Sequence, residues 1–463
     1  MGDRENNEKR QYRILFLRGL RGLRGERSLG LGMAETLKIL TRNVGKPNST
    51  DIDVYMHAGG YGPLMTALHK MSPEQVLGEV KASNLKGRGG ALFPAGLKWS
   101  FLPKGKGTLK YLVCNADESE PGTFKDRLLI ENDPHAILEG LILAGWATQS
   151  AGCFFYIRGE MPVGARIFQK AVDQAYDRHF LGKSVLGSGW DFDVWVSRGA
   201  GAYICGEETA LMNSLEGKRG EPRLKPPFPA GCGVYGVPSN INNVETYANV
   251  PLILKNGAEW YNKIGTPSSP GPRLFGVSGH VKRPGIYELP GGVTLRELIY
   301  EHAGGILGDR PLKAVIPGGS SVPVLRKDQI DIAMDPDGLK TVGSMLGSAG
   351  VIVMNDTVCM VKALLNLMQF YAHESCGQCT PCREGTHWFK LILQRLEEGG
   401  GQDEDCGLLL DIAENVLGRT ICPLGDAAAM PVQSFVTQFM DEFDEHARFG
   451  RCPLRQTRMT TVI

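Results

Sequence analysis

The chain has 463 residues, with 51 Lys or Arg against 50 Asp or Glu, so its formal net charge is +1. This balance excludes a protein that binds nucleic acid through a strongly basic surface. Apolar residues make up 42% of the chain, as in a globular protein with a substantial core, and the length corresponds to about three domains. The most apolar run, residues 137–146, is too short to span a membrane.

Glycine and cysteine are the residues whose counts stand out. The chain contains 60 Gly, roughly twice the usual share, and 11 Cys. An odd cysteine count without a recognisable secretory signal argues against a disulfide framework. Residues 1–33 differ from the rest because arginines recur there among Leu and Gly. We expect them to be a disordered tail or to precede a true start at Met33.

Strands and helices alternate over residues 34–265. Short apolar runs predict strands at Tyr111–Cys114 and Phe154–Arg158. The helical spacing of apolar residues predicts helices at Asp133–Thr148 and Met161–Phe180. Strands separated by helices indicate an α/β domain with a largely parallel sheet.

A smaller domain is expected at residues 270–350, after a Pro/Gly/Ser-rich linker at Gly265–Pro272. Thr294 and Glu297 form a capping-box pattern that opens a short helix. This helix and several strands make a small α+β domain. The expected strands are Arg273–Val277, Gly285–Leu289, Ala314–Ile316 and Val322–Leu325.

The sequence from residue 355 to about 450 is helical, and we expect a C-terminal helical bundle there. A bundle buries one apolar face of each helix against its neighbours. The apolar face of the first helix consists of Val358, Val361, Leu364, Leu365, Met368 and Ala372.

The strongest chemical pattern is a group of cysteines in this C-terminal part. Three thiols lie within seven residues and a fourth follows forty residues later, which suits an iron–sulfur cubane with one remote ligand. Thr380 as N-cap and Pro381 as first helical residue would turn the positive end of a helix toward the thiolates. Structural zinc and unrelated free thiols remain the alternatives. The candidate [4Fe–4S] ligands are Cys376, Cys379, Cys382 and Cys422.

The other seven cysteines lack such spacing. Cys114 and Cys153 lie in apolar strand contexts, and we expect them to be buried small hydrophobic residues. No metal is expected at the remaining five, which are Cys205, Cys232, Cys359, Cys406 and Cys452.

Glycines concentrate in residues 87–99, 198–209 and 317–321. A glycine backbone can lie against a phosphate and donate N–H groups to it, and Arg88 and Lys98 in the first segment favour an anion. The first segment matches neither G-x-G-x-x-G nor a P-loop, so ligand-free turns remain the alternative to a nucleotide site. The third segment is expected to be a turn in the small domain.

Two further segments carry candidate ligand contacts. Residues 114–123 place an amide and three carboxylates directly after a strand, where open α/β sheets bind ligands, although a solvated acidic loop is the alternative. Residues 223–229 are expected to be extended, close to polyproline II. They either present Lys225 and Phe228 as fixed contacts or serve only as a stiff connector.

Together these segments resemble the NADH-binding flavoprotein subunit of respiratory complex I. The resemblance covers the chain from about residue 34 to 450, and dense ordered identity of this kind is highly specific. The matching motifs are GRGG at 87–90, VCNADESEPGT at 113–123, RGAGAYICGEETAL at 198–211, RLKPPFPA at 223–230, NNVET at 242–246, IPGGSS at 316–321 and HESCGQCTPCREG at 373–385.

The resemblance implies three domains: a Gly-rich FMN-binding α/β domain at 34–265, a ubiquitin-like β-grasp (SLBB-like) domain at 270–350 and a four-helix bundle with [4Fe–4S] at 355–450. It also carries over the family's cofactor contacts. The implied FMN contacts are Gly87, Arg88, Gly89, Gly90, Lys98, Asn115, Asp117, Glu118, Gly206, Glu207, Glu208, Asn242, Asn243 and Thr246. The implied NADH contacts are Phe93, Phe101, Glu120, Tyr203, Glu208, Lys225 and Phe228.

The implied activity is that of an NADH:quinone oxidoreductase. NADH gives a hydride to FMN, and single electrons pass to the [4Fe–4S] cluster and through partner subunits to quinone. No side chain needs to act as a catalytic acid or base, so Glu118 and Glu208 are expected to bind or to tune. A diaphorase subunit of an NAD-linked hydrogenase or formate dehydrogenase is the alternative within this family. A non-catalytic scaffold with zinc in the bundle is the alternative outside it.

The implied partners are a small [2Fe–2S] thioredoxin-like subunit and a larger iron–sulfur subunit. The implied location is the bacterial cytoplasm, at the inner face of the plasma membrane and without a membrane span in this chain.

The chain departs from the family pattern within the first glycine segment. Leu92 stands where the family has the second Gly of GRGGAGFPTG, and Ala95 stands where it has Thr. If residue 92 has a positive φ, a Leu there is strained by roughly 1–2 kcal/mol. Its side chain would also narrow the adenine side of the NADH channel. We therefore expect weaker NADH binding without loss of FMN.

Overall fold

In the described part of the chain, four parallel strands form the sheet of the N-terminal domain. The computed structural model describes residues 36–105, 107–450, 452 and 454, so the expected tail at 1–33 lies outside the described residues. The sheet order is β3–β2–β1–β4, and each neighbouring pair is parallel, which confirms the predicted α/β class. The strands are β1 (Tyr111–Ala116), β2 (Gly152–Ile157), β3 (Asp193–Arg198) and β4 (Ser239–Asn243).

Helices cover this sheet. They are α1 (Ile52–His57), α2 (Gly62–Lys70), α3 (Pro73–Ala82), α4 (Ala95–Trp99), α5 (Lys125–Asn132), α6 (Pro134–Thr148), α7 (Pro162–Asp177), α8 (Glu208–Leu215), α9 (Val244–Asn256) and α10 (Ala258–Asn262). The two helices expected from the sequence are present as α6 and α7. Helix α6 is buried nearly all round. It packs closely on α9 at Gly140, where an added Cβ would lie only 2.0 Å from the Tyr247 carbonyl oxygen.

The core of the N-terminal domain extends over both faces of the sheet. Helices α1 to α7 and α9 bury one hydrophobic cluster, in which Phe155 stacks on Phe168 with ring centroids 3.5 Å apart. On the other face, Val113 and Ile241 belong to a cluster that continues into the C-terminal helices. The sheet and the bundle therefore share a core.

The small domain contains a mixed sheet of order β10–β9–β11–β7–β8, in which β7 and β11 are parallel. The capping box is confirmed, since Thr294 Oγ1 accepts from the Glu297 N–H and Glu297 accepts from the Thr294 N–H. Short helices α11 (Leu295–Glu297) and α12 (Pro336–Thr341) accompany the sheet. The strands are β7 (Pro272–Gly279), β8 (Gly285–Pro290), β9 (Leu312–Ile316), β10 (Leu325–Arg326) and β11 (Gly350–Asn355).

Two sequence expectations fail in this region. The expected linker at Gly265–Pro272 is instead a short antiparallel hairpin of β5 (Gly265–Thr266) and β6 (Ser269–Pro270), followed at once by β7. The strand expected at Val322–Leu325 is reduced to β10. Pro, Gly and Ser residues suit tight turns as well as linkers, so composition did not distinguish the two.

The C-terminal part is a bundle, as predicted. Val361, Leu364, Leu365 and Met368 are buried on the first helix, so its apolar face lies where the periodicity predicts. Among the described residues, no helix is both long and apolar enough to cross a membrane. The helices are α13 (Met360–Glu374), α14 (Thr380–Glu398), α15 (Asp405–Val416), α16 (Leu424–Gln438) and α17 (Met440–Phe449).

Candidate functional site

A cavity of about 1550 Å³ lies at the carboxyl ends of the parallel strands. The chain leaves β1 toward β2 on one side, whereas β4 pairs on the other side, so β1 and β4 flank a topological switch point where open α/β sheets bind ligands. The loops after β1 and β3, the end of β4 and the first glycine segment line the cavity. All residues named above as FMN or NADH contacts lie in this lining.

The first glycine segment presses its backbone against the end of β4. A Cβ at Gly89 would lie 3.2 Å from the Asn243 Cβ, and one at Gly87 would lie 3.3 Å from the Phe93 carbonyl oxygen. The Arg88 N–H donates to Thr246 Oγ1 at 2.9 Å. A Cβ at Gly87 or Gly89 would make an unusually tight contact, so glycine suits these positions and the segment offers backbone to the cavity. That shape fits a phosphate-bearing cofactor such as FMN.

The side chain of Arg88 does not take part in this lining. Its guanidinium is fully buried and donates to the Tyr261 hydroxyl and to the carbonyls of Pro270 and Pro272. The nearest carboxylate oxygen, on Glu245, is 3.9 Å away. Arg88 therefore contributes only backbone to the cavity. Its charged side chain is buried behind the glycine segment, which forms the floor of the cavity.

A cluster of buried charges supports that floor. Lys125 Nζ lies 2.8 Å from both Glu245 and Asp126, and these three side chains are almost completely buried. Burial alone would raise the pKa of Glu245, but Lys125, Arg88 and Arg273 hold it below its usual value. Burial, with repulsion from Arg88, lowers the pKa of Arg273 to about 9. Glu245 is thus a carboxylate shared by three buried cations, of which Lys125 also has Asp126 as a partner.

The acidic loop after β1 is not simply solvated. Asn115 donates to the Gly206 carbonyl at 2.8 Å, which joins this loop to the turn after β3. Asp117 Oδ2 is buried and has no hydrogen-bond partner among the described residues. Burial raises the pKa of Asp117 to about 7. A buried polar atom without a partner at the cavity wall fits a cofactor that supplies one.

Glu118, in the same loop, is bound to the start of helix α5. Its carboxylate oxygens accept the N–H groups of Asp126 and Arg127, at 2.8 and 3.1 Å, in the first turn of α5. Burial raises the pKa of Glu118 to about 7, and the neighbouring Asp126 adds to this rise. The side chain is held by the helix start, which agrees with the expectation that Glu118 is not a catalytic acid or base.

Lysines and glutamates alternate along the opposite wall. Lys98 Nζ is 3.0 Å from Glu208 and also donates to the Ile241 carbonyl at 2.8 Å. Lys225 Nζ is 3.0 Å from Glu208 and 2.9 Å from Glu207. Burial works against ionisation of Glu208, but the two lysines hold its pKa below its usual value. The wall therefore holds two lysines in fixed positions beside the cavity.

Three exposed aromatic rings stand at the mouth of the cavity. Phe93, Phe101 and Phe228 are 44%, 56% and 61% exposed, and the first two have ring centroids 6.0 Å apart. Exposed phenyl groups at a ligand cavity provide faces on which a base can stack. The segment that carries Phe228 has cis peptide bonds at Lys225-Pro226 and Pro226-Pro227, so the continuous polyproline II conformation expected there is wrong.

Leu92 has a φ of 58°, so the condition under which strain was expected at this position is met. Its side chain lines the cavity and packs against the core of the small domain. Leu92 therefore carries the backbone strain expected of a residue with a Cβ at positive φ.

A hydrogen-bond chain connects the three domains beside the cavity. The Tyr203 hydroxyl donates to Glu120 at 2.5 Å, and the Ser321 N–H donates to the other oxygen of Glu120 at 2.8 Å. The Ser320 hydroxyl lies 3.3 Å from Glu120 and 2.8 Å from the Tyr371 hydroxyl of α13. The third glycine segment is thus a turn, as expected, but one that reaches the site.

The four candidate cluster ligands surround the start of α14. Cys379 is the N-cap of α14, so the expectation of Thr380 as N-cap is wrong by one residue and a ligand itself occupies the cap. Burial raises the pKa of Cys422 to about 12, and the nearby Cys382 and Cys376 contribute to the rise. Thiols gathered in this way ionise when metal binds them. Arg219 and Arg383 brace the loop by donating to the carbonyls of Cys376 and Gly377.

Sequence reasoning missed two stretches of the cavity wall. One is 344–348 of the small domain, and the other comprises Leu417 and part of 422–430 in the bundle. The second could have been found, because it surrounds Cys422. The first carries no chemical pattern of its own. Its position follows from the docking of the small domain.

Comparison with known proteins agrees with this geometry. The family model described as the Nuo51 FMN-binding domain matches residues 80–252, an SLBB domain model matches 274–325, and a model of the NADH-ubiquinone oxidoreductase-F iron–sulfur binding region matches 362–446. These matches confirm the FMN and [4Fe–4S] predictions.

Relatives cover nearly the whole chain. The NADH-quinone oxidoreductase F 2 subunit of Rhizobium meliloti is 51% identical over 90% of this chain and 99% of its own length. The corresponding F subunit of Mycobacterium tuberculosis is 48% identical over 90% of this chain and 94% of its own length. An air-oxidised NAD+-reducing [NiFe]-hydrogenase is 32% identical with a TM-score of 0.77, over 90% of this chain and 68% of that one. The chain therefore belongs to the family of NADH-quinone oxidoreductase F subunits, with an FMN-binding domain, an SLBB domain and an iron–sulfur region.

Proposed function

We propose that this chain oxidises NADH in the cavity at the ends of β1 and β4 and passes the electrons to the cluster at the start of α14. The observation that carries this proposal is that one cavity is lined both by the predicted FMN and NADH contacts and by the cluster ligand Cys422. A flavin placed there lies next to the cluster without intervening protein layers.

FMN is held, in this proposal, chiefly by backbone. The N–H groups of Gly89 and Gly90 and the charge of Lys98 bind the phosphate, while the N–H groups of Gly87 and Arg88 donate to Phe93 and Thr246 and hold the shape of the loop. Asn115 and Asp117 face the ring. Bound FMN supplies the chemistry that accepts a hydride and releases electrons singly. The side-chain amides of Asn242 and Asn243 already donate to Asn240 and Asp126. In this proposal they shape the pocket and their NH₂ groups stay bonded to protein.

NADH is held at the open side of the cavity. The rings of Phe93, Phe101 and Phe228 stack on its adenine, and Lys225 approaches its phosphates. Glu208 orients Lys98 and Lys225 between the two ligands. Glu120 and Tyr203 close the side of the cavity next to the small domain.

The domains extend over 34–265, 270–350 and 355–450 in this proposal. The partners are a [2Fe–2S] thioredoxin-like subunit and a larger iron–sulfur subunit, and the complex lies at the inner face of the plasma membrane. The names of the relatives support a subunit of complex I. The hydrogenase likeness supports a diaphorase subunit as the second candidate, but its identity of 32% is well below the 51% of the first relative.

The NADH part is tested with Phe228→Ala in the full chain carrying its cofactors. Loss of one stacking ring, worth about 1–3 kcal/mol, raises the KM for NADH at least roughly fivefold with ferricyanide as acceptor. FMN content and kcat stay unchanged, because only ground-state binding is lost. Phe449→Ala removes an equally exposed ring (62%) from the last helix of the bundle and serves as the matched control.

An unchanged KM in Phe228→Ala would contradict the proposed adenine position. A similar rise in both variants would show that the effect is not local to the cavity.

A further inference from the structure

A second group of metal-binding side chains lies in the bundle, apart from the cluster cysteines. Cys359 directly precedes α13, Glu397 lies in the last turn of α14, His446 lies on α17 and Cys452 follows α17. All four residues are buried, and their ligand atoms all lie within 4.8 Å of one another. No metal was expected at Cys359 or Cys452 from the sequence, because these residues are far apart in the chain.

The distances within this group fit a single small cation. Cys359 Sγ is 3.3 Å from His446 Nε2 and 3.9 Å from Glu397 Oε2, and the latter two atoms are 3.7 Å apart. Zinc bonds of about 2.0–2.3 Å in a tetrahedron place their ligand atoms roughly 3.3–3.8 Å apart. Cys359, Glu397 and His446 need to move by only a few tenths of an ångström to coordinate one ion, and Cys452, whose sulfur lies within 4.8 Å of the other ligand atoms, needs to move by up to about 1 Å.

The surroundings orient two of the ligands. His446 Nδ1 donates to the Glu442 carbonyl oxygen at 2.7 Å, which leaves Nε2 as the ring nitrogen that faces Cys359 and can bind a metal once it is deprotonated. Cys359 Sγ accepts the N–H of Lys362 at 3.4 Å in the first turn of α13. An imidazole oriented in this way and a sulfur at a helix start are typical of ligands in metal sites.

A metal ion binds thiolate, carboxylate and neutral imidazole, so binding at this buried group releases the protons that the thiols and the imidazole carry in its absence.

We propose that Cys359, Glu397, His446 and Cys452 bind one zinc ion in a closed tetrahedral site. Two thiolates, an imidazole and a carboxylate are a donor set that suits zinc, and four protein ligands leave no position for substrate. The site joins α17 and the segment after it to the start of α13 and to the end of α14. Its role is therefore structural.

The zinc site and the cluster occupy opposite ends of the bundle. Helix α13 runs for 15 residues from Cys359 toward Cys376, which corresponds to roughly 22 Å. Likewise, α14 begins beside the cluster and ends near Glu397. The two metals therefore bind independently.

The test uses the full chain with FMN and its cluster, purified without oxygen and without chelators. Metal analysis is expected to find one zinc per chain beside the cluster iron, and zinc K-edge absorption is expected to show two sulfur and two nitrogen or oxygen ligands. Cys359→Ser and Cys452→Ser each lose zinc while flavin and cluster absorbance persist. Cys406→Ser keeps zinc; Cys406 is also a buried cysteine of the bundle and contacts Asp444, outside the ligand group.

Several results would overturn the proposal. One is a zinc-free protein after growth with added zinc. Another is zinc with four sulfur ligands, which would place it in the cluster site. A content of one zinc per chain in both ligand variants, or a Cys359–Cys452 disulfide in the native protein, would also refute the proposal. If both variants fail to fold, metal analysis and the zinc K-edge absorption spectrum of the unmodified protein still decide between these outcomes.

Discussion

Leu92 offers a test in which backbone strain and side-chain bulk can be separated. Its φ of 58° costs a residue with a Cβ roughly 1–2 kcal/mol, and its side chain lines the cavity next to the small domain. Leu92→Ala removes the bulk and keeps the strained Cβ. Leu92→Gly removes both. The two variants together therefore assign any effect to one cause.

The expected results differ between binding and stability. If bulk narrows the NADH channel, both variants lower the Kd for NADH by a similar factor of about three, or ~0.65 kcal/mol. In urea unfolding, Leu92→Gly gains the strain energy of roughly 1–2 kcal/mol and loses about 0.5–1 kcal/mol through the entropy of the unfolded chain. It is therefore expected to be more stable than Leu92→Ala by up to about 1 kcal/mol.

Titration of the flavin-loaded protein with NADH under anaerobic conditions gives the affinity, and chemical unfolding gives the stability. An unchanged Kd in Leu92→Ala would refute the argument from bulk. A Gly variant less stable than the Ala variant would refute the argument from strain. FMN content is the internal control, because the side chain is expected to leave flavin binding unaffected.

Three further predictions concern charge and the cluster. Glu245→Gln leaves Arg88 and Arg273 without their nearest carboxylate and Lys125 with Asp126 alone, and it lowers the free energy of unfolding by about 3–5 kcal/mol, measured in urea; a loss below about 1 kcal/mol would mean that Asp126 and the nearby carbonyls suffice for these cations. Asp117 has a pKa of about 7 in the folded state against an ordinary 3.8, so it lowers the stability of the flavin-free protein as pH rises from 4 through 7. Asp117→Asn flattens that part of the stability profile, and an identical profile would disprove the buried state of this carboxyl. Cys379→Ser loses iron–sulfur absorbance but retains flavin and ferricyanide reduction, whereas full reduction of the downstream partner by this variant would contradict the electron route.

The fold could be predicted where local pattern and tertiary packing agree. Helix α6 and strand β1 are largely apolar, and the bounds expected from the sequence lie within two residues of the observed ones. Gly265–Pro272 is different, since turn-forming residues suit a linker or a hairpin, and only pairing with the rest of the small domain decides between them.

The residues of the site also differ in how far their positions could be predicted from the sequence. The motifs between residues 87 and 321 all contribute residues to one cavity, because they lie in turns, strand ends and helix starts near the same edge of the sheet, whereas the cysteine motif at 373–385 lies in the bundle outside this lining. The direction of a side chain is not encoded in a motif, so the burial of Arg88 beneath the floor could not be foreseen. Cys359 and Cys452 could not be paired from spacing, because helices of the bundle bring them together over a long stretch of chain.

The Tyr203–Glu120–Ser320–Tyr371 chain has a consequence for how substrate enters. These hydrogen bonds tie the α/β domain, the small domain and the bundle together at the very side where NADH is proposed to bind. Enzymes that enclose a dinucleotide by domain closure need a hinge between such parts, and here these hydrogen bonds would have to break for the hinge to open. We therefore expect NADH to enter a cleft that is already formed, without a closing motion in each cycle.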